Sequence, residues 1–444
     1  MFERILIANR GEVATRVART CRRLGVETVA VHVATDTDAP HIDACDEHIS
    51  VGDGPAAYRD LAALLAAAKE RGVHAVHPGY GHLAHDPAFA RAVEEAELCF
   101  VGPTSERYAA VSDRLAVRDL AIACGVRVLP GSERAITGPQ LALVDVDRLG
   151  YPVEVRPVAG IGEVPGAVAW DVAELAEGLA ALDPLDQGGG AYLEAHVERP
   201  RHVEVQIIGD GEHAFVLGDR EVSLRKDGNR ILCESPAAAL DQLNDGDAVR
   251  GAVWEAAVDI GTRLAFRGLG SCHFVLDADG VYSFVGFTPG LQVEHSTIEM
   301  CAGLDLVELQ LLLASGEALP ESLHTLQPTG CALQARVLAA TDPATGLAFD
   351  RSVQEARWPP APQGKVRIET GVKVGSVVSS ELDPLIATVT TYAPVRHDAL
   401  LMLDRILAEI HVGPVVTNQR LLRKALNDES LRAGQYDEGF VERM

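Results

Sequence analysis

The chain has 444 residues, of which 47% are hydrophobic, so it is long enough for two or three domains with sizeable cores. Its formal net charge of −25 indicates an acidic, solvated surface and excludes nucleic acid as a partner, because phosphate binding needs a basic face. No apolar run reaches the ~18 residues of a membrane-spanning helix, and the first residues already carry charge, so we expect neither a membrane span nor a signal peptide.

The cysteines favour a reducing compartment. All eight are scattered along the chain, and no two of them form a C-x-x-C pair. Most stand in apolar surroundings, as Cys99 does between Leu98 and Phe100. Because buried, reduced thiols are typical of cytoplasmic proteins, we predict a cytoplasmic location.

Residues 1–113 alternate strand and helix signals. Such alternation predicts a parallel sheet with helices on both faces, as in Rossmann-like α/β domains. The turn at 77–81 then falls at the carboxyl edge of the sheet, where ligands commonly bind. The predicted strands are 4–8, 28–32 and 75–77, and the predicted helices run from the turn at 9–12 to Leu24 and over 61–69.

Five motifs, in the right order along the chain, resemble those of one family. They are Ala8-Asn-Arg-Gly-Glu12, His77-Pro-Gly-Tyr-Gly81, Phe100-Val-Gly-Pro103, Pro200-Arg-His-Val-Glu-Val-Gln206 and Gln292-Val-Glu-His295. Together they resemble biotin carboxylase, the ATP-grasp subunit of biotin-dependent carboxylases, and the resemblance spans essentially the whole chain. It implies an N-terminal Rossmann-like domain at 1–113, an ATP-grasp domain at 114–330 with a lid at about 131–203, and a C-terminal mixed α/β domain at 331–444.

The resemblance also implies the catalytic residues. Glu294 is the counterpart of the glutamate that deprotonates bicarbonate, and Arg336 of the arginine that balances the biotin enolate. Arg230 stands where the family has a lysine that contacts bicarbonate and phosphate. Arg16 and Asp383 match positions near the family's dimer region.

At some of the family's nucleotide-binding positions, the substitution keeps the positive charge. Arginine replaces the family's phosphate-binding lysine at two places, and Ala195 replaces the lysine that holds adenine. The residues that the resemblance implies for nucleotide binding are Arg114, Arg156, Glu194, Val197, His202 and Val275.

The metal-binding and bicarbonate-binding positions are replaced. The family's two metal-binding glutamates correspond to His273 and Gly286, its metal-side asparagine to Thr288, and its bicarbonate-binding arginine to Gly290. Magnesium requires oxygen ligands, which a glycine side chain cannot supply and a histidine cannot replace. We therefore predict no metal site.

The glycine-rich lid loop of the family is also altered. Here the segment 159–166 reads A-G-I-G-E-V-P-G, so Pro165 lacks an N–H and Glu163 places a negative charge beside the expected polyphosphate. We therefore expect that this loop cannot hold phosphates through its backbone N–H groups.

These replacements lead to three hypotheses. The first is a catalytically impaired or inactive homologue, a pseudoenzyme that acts as a structural or regulatory partner, either as a homodimer or by pairing with an active biotin carboxylase or a carrier protein. The second is an active ATP- and bicarbonate-dependent carboxylase or other ATP-grasp ligase with a rebuilt site. The third is an anion sensor that uses Arg114, Arg156, Arg225 and Arg230. Only the resemblance implies ATP, magnesium and biotin as cofactors.

Overall fold

The computed structural model describes residues 1–161, 166–182, 189–340, 351–379 and 382–444. Glu163 and Pro165 of the predicted lid loop therefore lie outside the described residues. Within the described ranges, no helix is long and apolar enough to cross a membrane.

The N-terminal region is built on a five-stranded parallel sheet, as the alternating pattern predicts, with strand order β3-β2-β1-β4-β5. Its central strand is fully buried at Ile5, Leu6 and Ile7, which explains the continuous apolar run. Gly25 ends the first helix in a left-handed conformation, with φ of 72°. The strands are β1 Arg4–Ile7, β2 Glu27–Val33, β3 Glu47–Gly52, β4 Ala75–His77 and β5 Cys99–Phe100, and the helices are α1 Gly11–Leu24, α2 Pro40–Ala44, α3 Leu61–Glu70, α4 Pro87–Glu95 and α5 Ser105–Ser112.

A small three-stranded antiparallel sheet, ordered β7-β6-β8, forms the lid. It has its own apolar cluster, which includes Val155, Leu175 and Leu193. Because that cluster is separate from the other cores, the lid packs as a unit above the central sheet. The elements of this region are α6 Arg114–Ala123, α7 Pro139–Leu149, β6 Val153–Pro157, β7 Ala167–Ala169, α8 Val172–Leu182 and β8 Ala191–Ala195.

The rest of the central region supplies five long strands and four helices. One of these strands, Tyr282–Pro289, contains both Gly286 and Thr288. The elements are β9 Arg201–Asp210, β10 Ala214–Lys226, β11 Asn229–Ser235, α9 Ala238–Asp241, α10 Gly246–Arg263, β12 Arg267–Leu276, β13 Tyr282–Pro289, α11 His295–Ala302 and α12 Leu306–Ala314.

The C-terminal region continues the central sheet. Strand β11 pairs with β14, so one antiparallel sheet of order β13-β12-β9-β10-β11-β14-β19-β17 runs across the predicted boundary at 330. Leu232 from the central region shares an apolar cluster with Leu333 and Leu403. The elements are β14 Cys331–Leu338, β15 Arg351–Ser352, β16 Glu355–Arg357, β17 Val366–Thr370, β18 Val377–Val378, β19 Leu385–Ala393, α13 Arg396–Glu409, β20 His411–Gly413, α14 Gln419–Leu426 and α15 Glu429–Arg432.

Short 3-10 helices complete the described secondary structure, at Ala34–Asp36, Pro55–Arg59, His82–His85, Glu321–Thr325 and Val441–Arg443. The fold is thus a mixed α/β architecture with a parallel N-terminal sheet, a central region that carries a lid, and a C-terminal mixed region, as the sequence predicts.

Candidate active site

A cavity of about 320 Å³ lies between the lid and the central sheet. It gathers residues that are far apart in the sequence, from α6, the lid strands, β9, β12 and β13. All six predicted nucleotide-binding residues line it, together with the three positions that the family uses for metal: Arg114, Arg156, Glu194, Val197, His202, Val275, His273, Gly286 and Thr288.

Arg156 does not present an unpaired charge to this cavity. Its Nε and Nη2 atoms donate to the same oxygen of Glu154, at 2.9 and 2.5 Å, and its Nε atom lies 3.5 Å from Glu194. His196 lies 3.1 Å from the other Glu154 oxygen. Burial opposes ionisation of Glu154, but His196 and Arg156 outweigh it and lower the pKa to about 2. The predicted phosphate-binding cation is therefore neutralised by a carboxylate of the chain itself.

Arg118 is a cavity residue that the sequence analysis missed. Its Nη1 atom donates to Glu194 at 3.0 Å, and it also donates to the backbone oxygen of Leu129. It lies four residues after Arg114 on α6, a spacing that places both arginines on one helix face and could have revealed it.

Glu204, on β9, is the centre of a buried ionic cluster. Arg220 donates through Nε to one carboxylate oxygen at 2.8 Å, and Arg230 donates to the other at 2.5 Å. His273 Nδ1 lies 2.9 Å from that second oxygen. Burial alone would raise the pKa of Glu204, but Arg230, Arg220 and His273 hold it well below its usual range. The four residues are at most 8% exposed, so their charges are balanced mainly by one another.

The three family metal positions supply no carboxylate. His273 and Gly286 are register partners on β12 and β13, and the Nε2 atom of His273 lies 2.7 Å from the hydroxyl of Thr288. Among the described residues, no three His, Cys, Asp or Glu side chains stand close enough together to hold a metal ion. Both ring nitrogens of His273 are already engaged, so these residues do not fit magnesium.

Glu294, the predicted base, is bound to the two other predicted catalytic residues. Arg336 donates to its Oε1, and Arg230 Nη1 lies 3.5 Å from the same atom. Burial works against ionisation, yet Arg336 and Arg230 lower the pKa of Glu294 to about 2. The structure thus brings Glu294, Arg336 and Arg230 together, and the two arginines favour the ionised form of the carboxylate.

Glu438, from the C-terminal segment, forms part of the cavity wall. Its Oε2 lies 3.1 Å from His202 Nε2, and its Oε1 lies 3.8 Å from Arg225 Nε. Sequence reasoning missed this residue, because 236 positions separate it from His202 and no local pattern links the two.

The two residues predicted near a dimer region lie in different surroundings. Arg16 is 2% exposed and donates within the chain to Thr20, Glu299 and Asp305. Asp383 lines a second cavity, of about 500 Å³, between the N-terminal and C-terminal regions. A dimer role for these positions stays a prediction, and for Arg16 it would be indirect because its guanidinium is turned inward.

Comparison with known proteins follows the same three regions. Sequence profiles match at 1–108 ("Biotin carboxylase, N-terminal domain"), 113–322 ("Carbamoyl-phosphate synthase L chain, ATP binding domain") and 334–443 ("Biotin carboxylase C-terminal domain"). They define the three-region ATP-grasp architecture of the biotin-dependent carboxylases. A biotin carboxylase from Pseudomonas aeruginosa is 34% identical over 453 residues, which cover 100% of this chain and 98% of the relative. The chain belongs to the biotin carboxylase family.

Two solved structures show the same architecture. The biotin carboxylase domain dimer of Hydrogenobacter thermophilus 2-oxoglutarate carboxylase, in complex with MgADP, ADP and bicarbonate, superposes with a TM-score of 0.93 at 27% identity, over 100% of this chain and 98% of that one. The biotin carboxylase domain of a thermophilic 2-oxoglutarate carboxylase, bound to ADP without magnesium and with a disordered phosphate tail, gives a TM-score of 0.82 at 28% identity and the same coverage.

Proposed function

We propose that this chain is a biotin carboxylase homologue that has lost ATP-dependent carboxylation and acts as a structural or regulatory partner in a biotin-dependent carboxylase system. One observation carries the proposal. The positions that the resemblance implies for metal are His273, Gly286 and Thr288, and the histidine is bound to Glu204 and Thr288 rather than open to a cation.

Loss of these ligands removes the main source of charge neutralisation for phosphoryl transfer. The reaction needs the γ-phosphate charge to be balanced while bicarbonate attacks, and positioning with electrostatic stabilisation accounts for most of the catalysis. Removing a single stabilising group costs about 10²–10³ in rate. Here the metal carboxylates are replaced, and Arg156 is bound to Glu154, so we expect turnover near background.

The residues implied for binding and deprotonating bicarbonate are also altered in ways that weaken catalysis. Gly290 provides no guanidinium fork for the anion, and bidentate recognition of this kind is specific to arginine. Glu294 is bound by Arg336 and approached by Arg230, and these two cations lower its pKa and so weaken it as a base. The acid–base half of the reaction is therefore weakened together with the phosphoryl-transfer half.

The scaffold outside the cavity supports an assembly role. The eight-stranded sheet is continuous, and buried apolar clusters hold the N-terminal, central and C-terminal regions. The fold of the family is therefore retained although the residues implied for metal binding are replaced. A structural neighbour is described as a domain dimer. We propose that this chain forms a homodimer, or pairs with an active biotin carboxylase subunit or a carboxyl carrier protein.

The test is a measurement of ADP release from ATP by the purified chain with magnesium, bicarbonate and biotin, beside the Pseudomonas aeruginosa relative as a positive control. We expect release indistinguishable from a protein-free blank. Release that depends on bicarbonate and disappears in Glu294→Gln would overturn the proposal. The assembly role is tested by co-purification with biotin carboxylase and carrier subunits from the source cell, and recovery of neither contradicts it.

A further inference from the structure

We propose that His32 and His48 form a binding site for one divalent metal ion of the kind that prefers imidazole ligands, which are zinc, nickel and copper. The two histidines lie on β2 and β3 of the N-terminal parallel sheet, and neither of them lines the lid cavity or the cavity at Asp383. The inference does not depend on whether the chain turns over ATP. It is carried by the relation between the two imidazole rings.

The register of the parallel strands brings the two histidines to one face of the sheet. Ala30 of β2 is opposite His48 of β3, and His32 is opposite Ser50. His48 and Ser50 are two positions apart on one strand, so their side chains point to the same side of the sheet, and the side chain of His32 points there with them. The two histidines are therefore diagonal neighbours across the strands.

The two rings approach each other through one nitrogen each. Nδ1 of His48 lies 3.1 Å from Nε2 of His32, and the ring centroids are 5.1 Å apart with the planes tilted by 54°. Two nitrogens that bind one zinc ion at about 2.0–2.1 Å stand about 2.9 Å apart at a right angle and about 3.3 Å apart at the tetrahedral angle. The observed separation lies between these values, so an ion can replace the proton between the rings after a small rotation of the side chains.

The backbone determines which nitrogen of His32 faces its neighbour with a lone pair. Its Nδ1 atom lies 3.3 Å from the backbone oxygen of Val33, and a carbonyl oxygen can only accept a hydrogen bond. Nδ1 therefore carries the proton, and Nε2 presents its lone pair toward His48. Histidines that bind metals commonly donate their other ring N–H to a carbonyl or a carboxylate, which fixes the orientation of the ring.

One ring is held in place and the other is accessible. His32 is 8% exposed near the end of a buried strand, whereas His48 is exposed on the edge strand of the sheet. An ion can thus reach the pair from solvent, and water can fill the remaining coordination positions. In the part of the chain that the structure describes, no third His, Cys, Asp or Glu side chain completes a group around the pair, so we expect two protein ligands.

The donor atoms select the class of ion. Imidazole nitrogens suit zinc, nickel and copper, whereas magnesium and calcium require oxygen ligands. Among these three ions, copper is expected to bind most tightly to a given nitrogen site. The net charge of −25 also favours the approach of a cation to the surface.

A bound ion would tie the edge strand β3 to β2. The two histidines are 16 positions apart in the sequence, and only the paired strands hold their nitrogens at the distance that one ion requires. Metal binding is therefore linked to the folded state, and an ion that binds only this state raises the midpoint of thermal unfolding.

The experiment is a calorimetric titration of the tag-free chain with zinc, nickel and copper chlorides, each in a buffer that does not chelate metals. We expect one ion bound per chain, with copper bound most tightly. Electron paramagnetic resonance of the copper-loaded chain should show coordination by two imidazole nitrogens. Thermal unfolding should occur at a higher temperature with nickel than with a chelator.

Two variants each remove one ligand. His48→Gln changes an exposed position and should weaken metal binding by about 100-fold or more, because even the loss of a group that only orients a ligand costs about 10–100-fold. His32→Gln should give the same loss. His74→Gln is the matched control, since it removes an exposed histidine of the same N-terminal region outside the pair, and its affinity should equal that of the wild type. Circular dichroism checks the fold of each variant, and His48→Gln decides the test if His32→Gln does not fold.

Three outcomes overturn the inference. If none of the three ions binds at millimolar concentration, the two rings form a hydrogen bond and nothing more. If His48→Gln binds metal as tightly as the wild type, the ion occupies another site. If the resonance spectrum shows fewer than two imidazole nitrogens, the pair does not chelate. None of these results bears on ATP turnover, so the proposed function is tested independently.

Discussion

The Nδ1 atom of His273 lies 2.9 Å from Oε1 of Glu204, so a histidine at a family metal position is bound to a buried carboxylate of the same sheet. The two residues are register partners on β12 and β9. Glu204 also accepts hydrogen bonds from Arg220 and Arg230, so three basic side chains converge on its carboxylate. At a position where the resemblance implies a metal ligand, this chain thus has a histidine that is already bound to a carboxylate.

Restoring carboxylates at the metal positions should restore a response to magnesium. A Cβ built at Gly286 meets no atom within 4 Å, so Gly286→Glu has open space. The double variant His273→Glu/Gly286→Glu places two carboxylates on neighbouring strands, and we expect it to unfold earlier than the wild type without metal, because Glu204 lies close by. Millimolar magnesium should recover about 2.7 kcal/mol if the concentration reaches about 100 times the Kd.

The measurement is thermal unfolding with and without magnesium chloride. The wild type and Gly251→Glu, an exposed position in α10 with open space around it, serve as controls and should show no magnesium response. A double variant that stays unresponsive to magnesium would mean that the cavity lacks more than its carboxylates.

Removing Glu204 should destabilise the fold strongly. Glu204→Gln leaves Arg220 and Arg230 in the interior without their carboxylate, and breaking a buried pair by removing one partner costs about 3–5 kcal/mol. Chemical denaturation gives the free energy of unfolding. Glu212→Gln, an exposed glutamate on the turn after β9, is the control and should change it by less than about 0.5 kcal/mol. If the two variants changed the free energy of unfolding equally, the Glu204 cluster would not be a main source of stability.

The sequence predicted the fold, because the fold follows from motifs that are contiguous in the chain. The motif Pro200–Gln206 contributes Pro200, His202, Val203 and Glu204 to the cavity wall, and the substitutions at Gly286 and His273 are visible by position alone. The pairing of Glu154 with Arg156 was also within reach, since residues two apart on a strand point to the same face.

The internal neutralisation of the cavity was harder to predict. Whether Arg230 meets a phosphate or Glu204 depends on three-dimensional proximity across β9 and β11, and a sequence shows only that charge is kept. Glu438 reaches His202 through the packing of the C-terminal segment, for which no spacing rule exists. The anion-patch hypothesis had the alternative that its arginines pair with carboxylates of the chain, and Arg156, Arg225 and Arg230 do lie within ion-pair distance of such carboxylates.

Stability should fall as acid protonates Glu299. Burial raises its pKa, but Arg16, His295 and Arg367 outweigh that effect and lower the pKa from 4.5 to about 2. A depressed carboxyl pKa stabilises the native state above the unfolded value, so this contribution is present above pH 4.5 and is lost as the pH falls toward 2. Glu12 has the opposite effect, because burial raises its pKa well above the usual value. Its contribution to the free energy of unfolding therefore falls as the pH rises toward that raised pKa.

Urea denaturation at a series of pH values below neutrality measures this dependence. The free energy of unfolding should decline between pH 4.5 and 2 in the wild type, and more gently in Glu299→Gln, which has no proton to take up at this position. Glu198→Gln, at an exposed position, should keep the wild-type slope. Identical slopes in all three proteins would show that Glu299 does not couple folding to pH.

Loss of the Tyr436 anchor should release the C-terminal segment from the cavity. Its hydroxyl donates to Glu234 at 2.6 Å, and Arg201 lies over its ring at 4.8 Å, while the backbone N–H of Glu438 donates to Pro200 at 3.1 Å. Tyr436→Phe keeps the ring and should cost about 1.5–3 kcal/mol, because Glu234 loses one hydrogen bond to a charged group while it keeps those from Arg396. Tyr436→Ala removes the packing as well and should cost about 3–5 kcal/mol.

Limited proteolysis separates local release from global unfolding. In Tyr436→Ala we expect early cleavage C-terminal to residue 432 while the rest of the chain stays resistant, because the segment after α15 is held mainly through this tyrosine and its neighbours. Tyr151→Ala, which truncates a tyrosine that is 37% exposed, should leave the cleavage pattern unchanged. If Tyr436→Ala instead loses resistance along the whole chain at once, the segment is part of the global folding unit, and Glu438 cannot leave His202 without unfolding the protein.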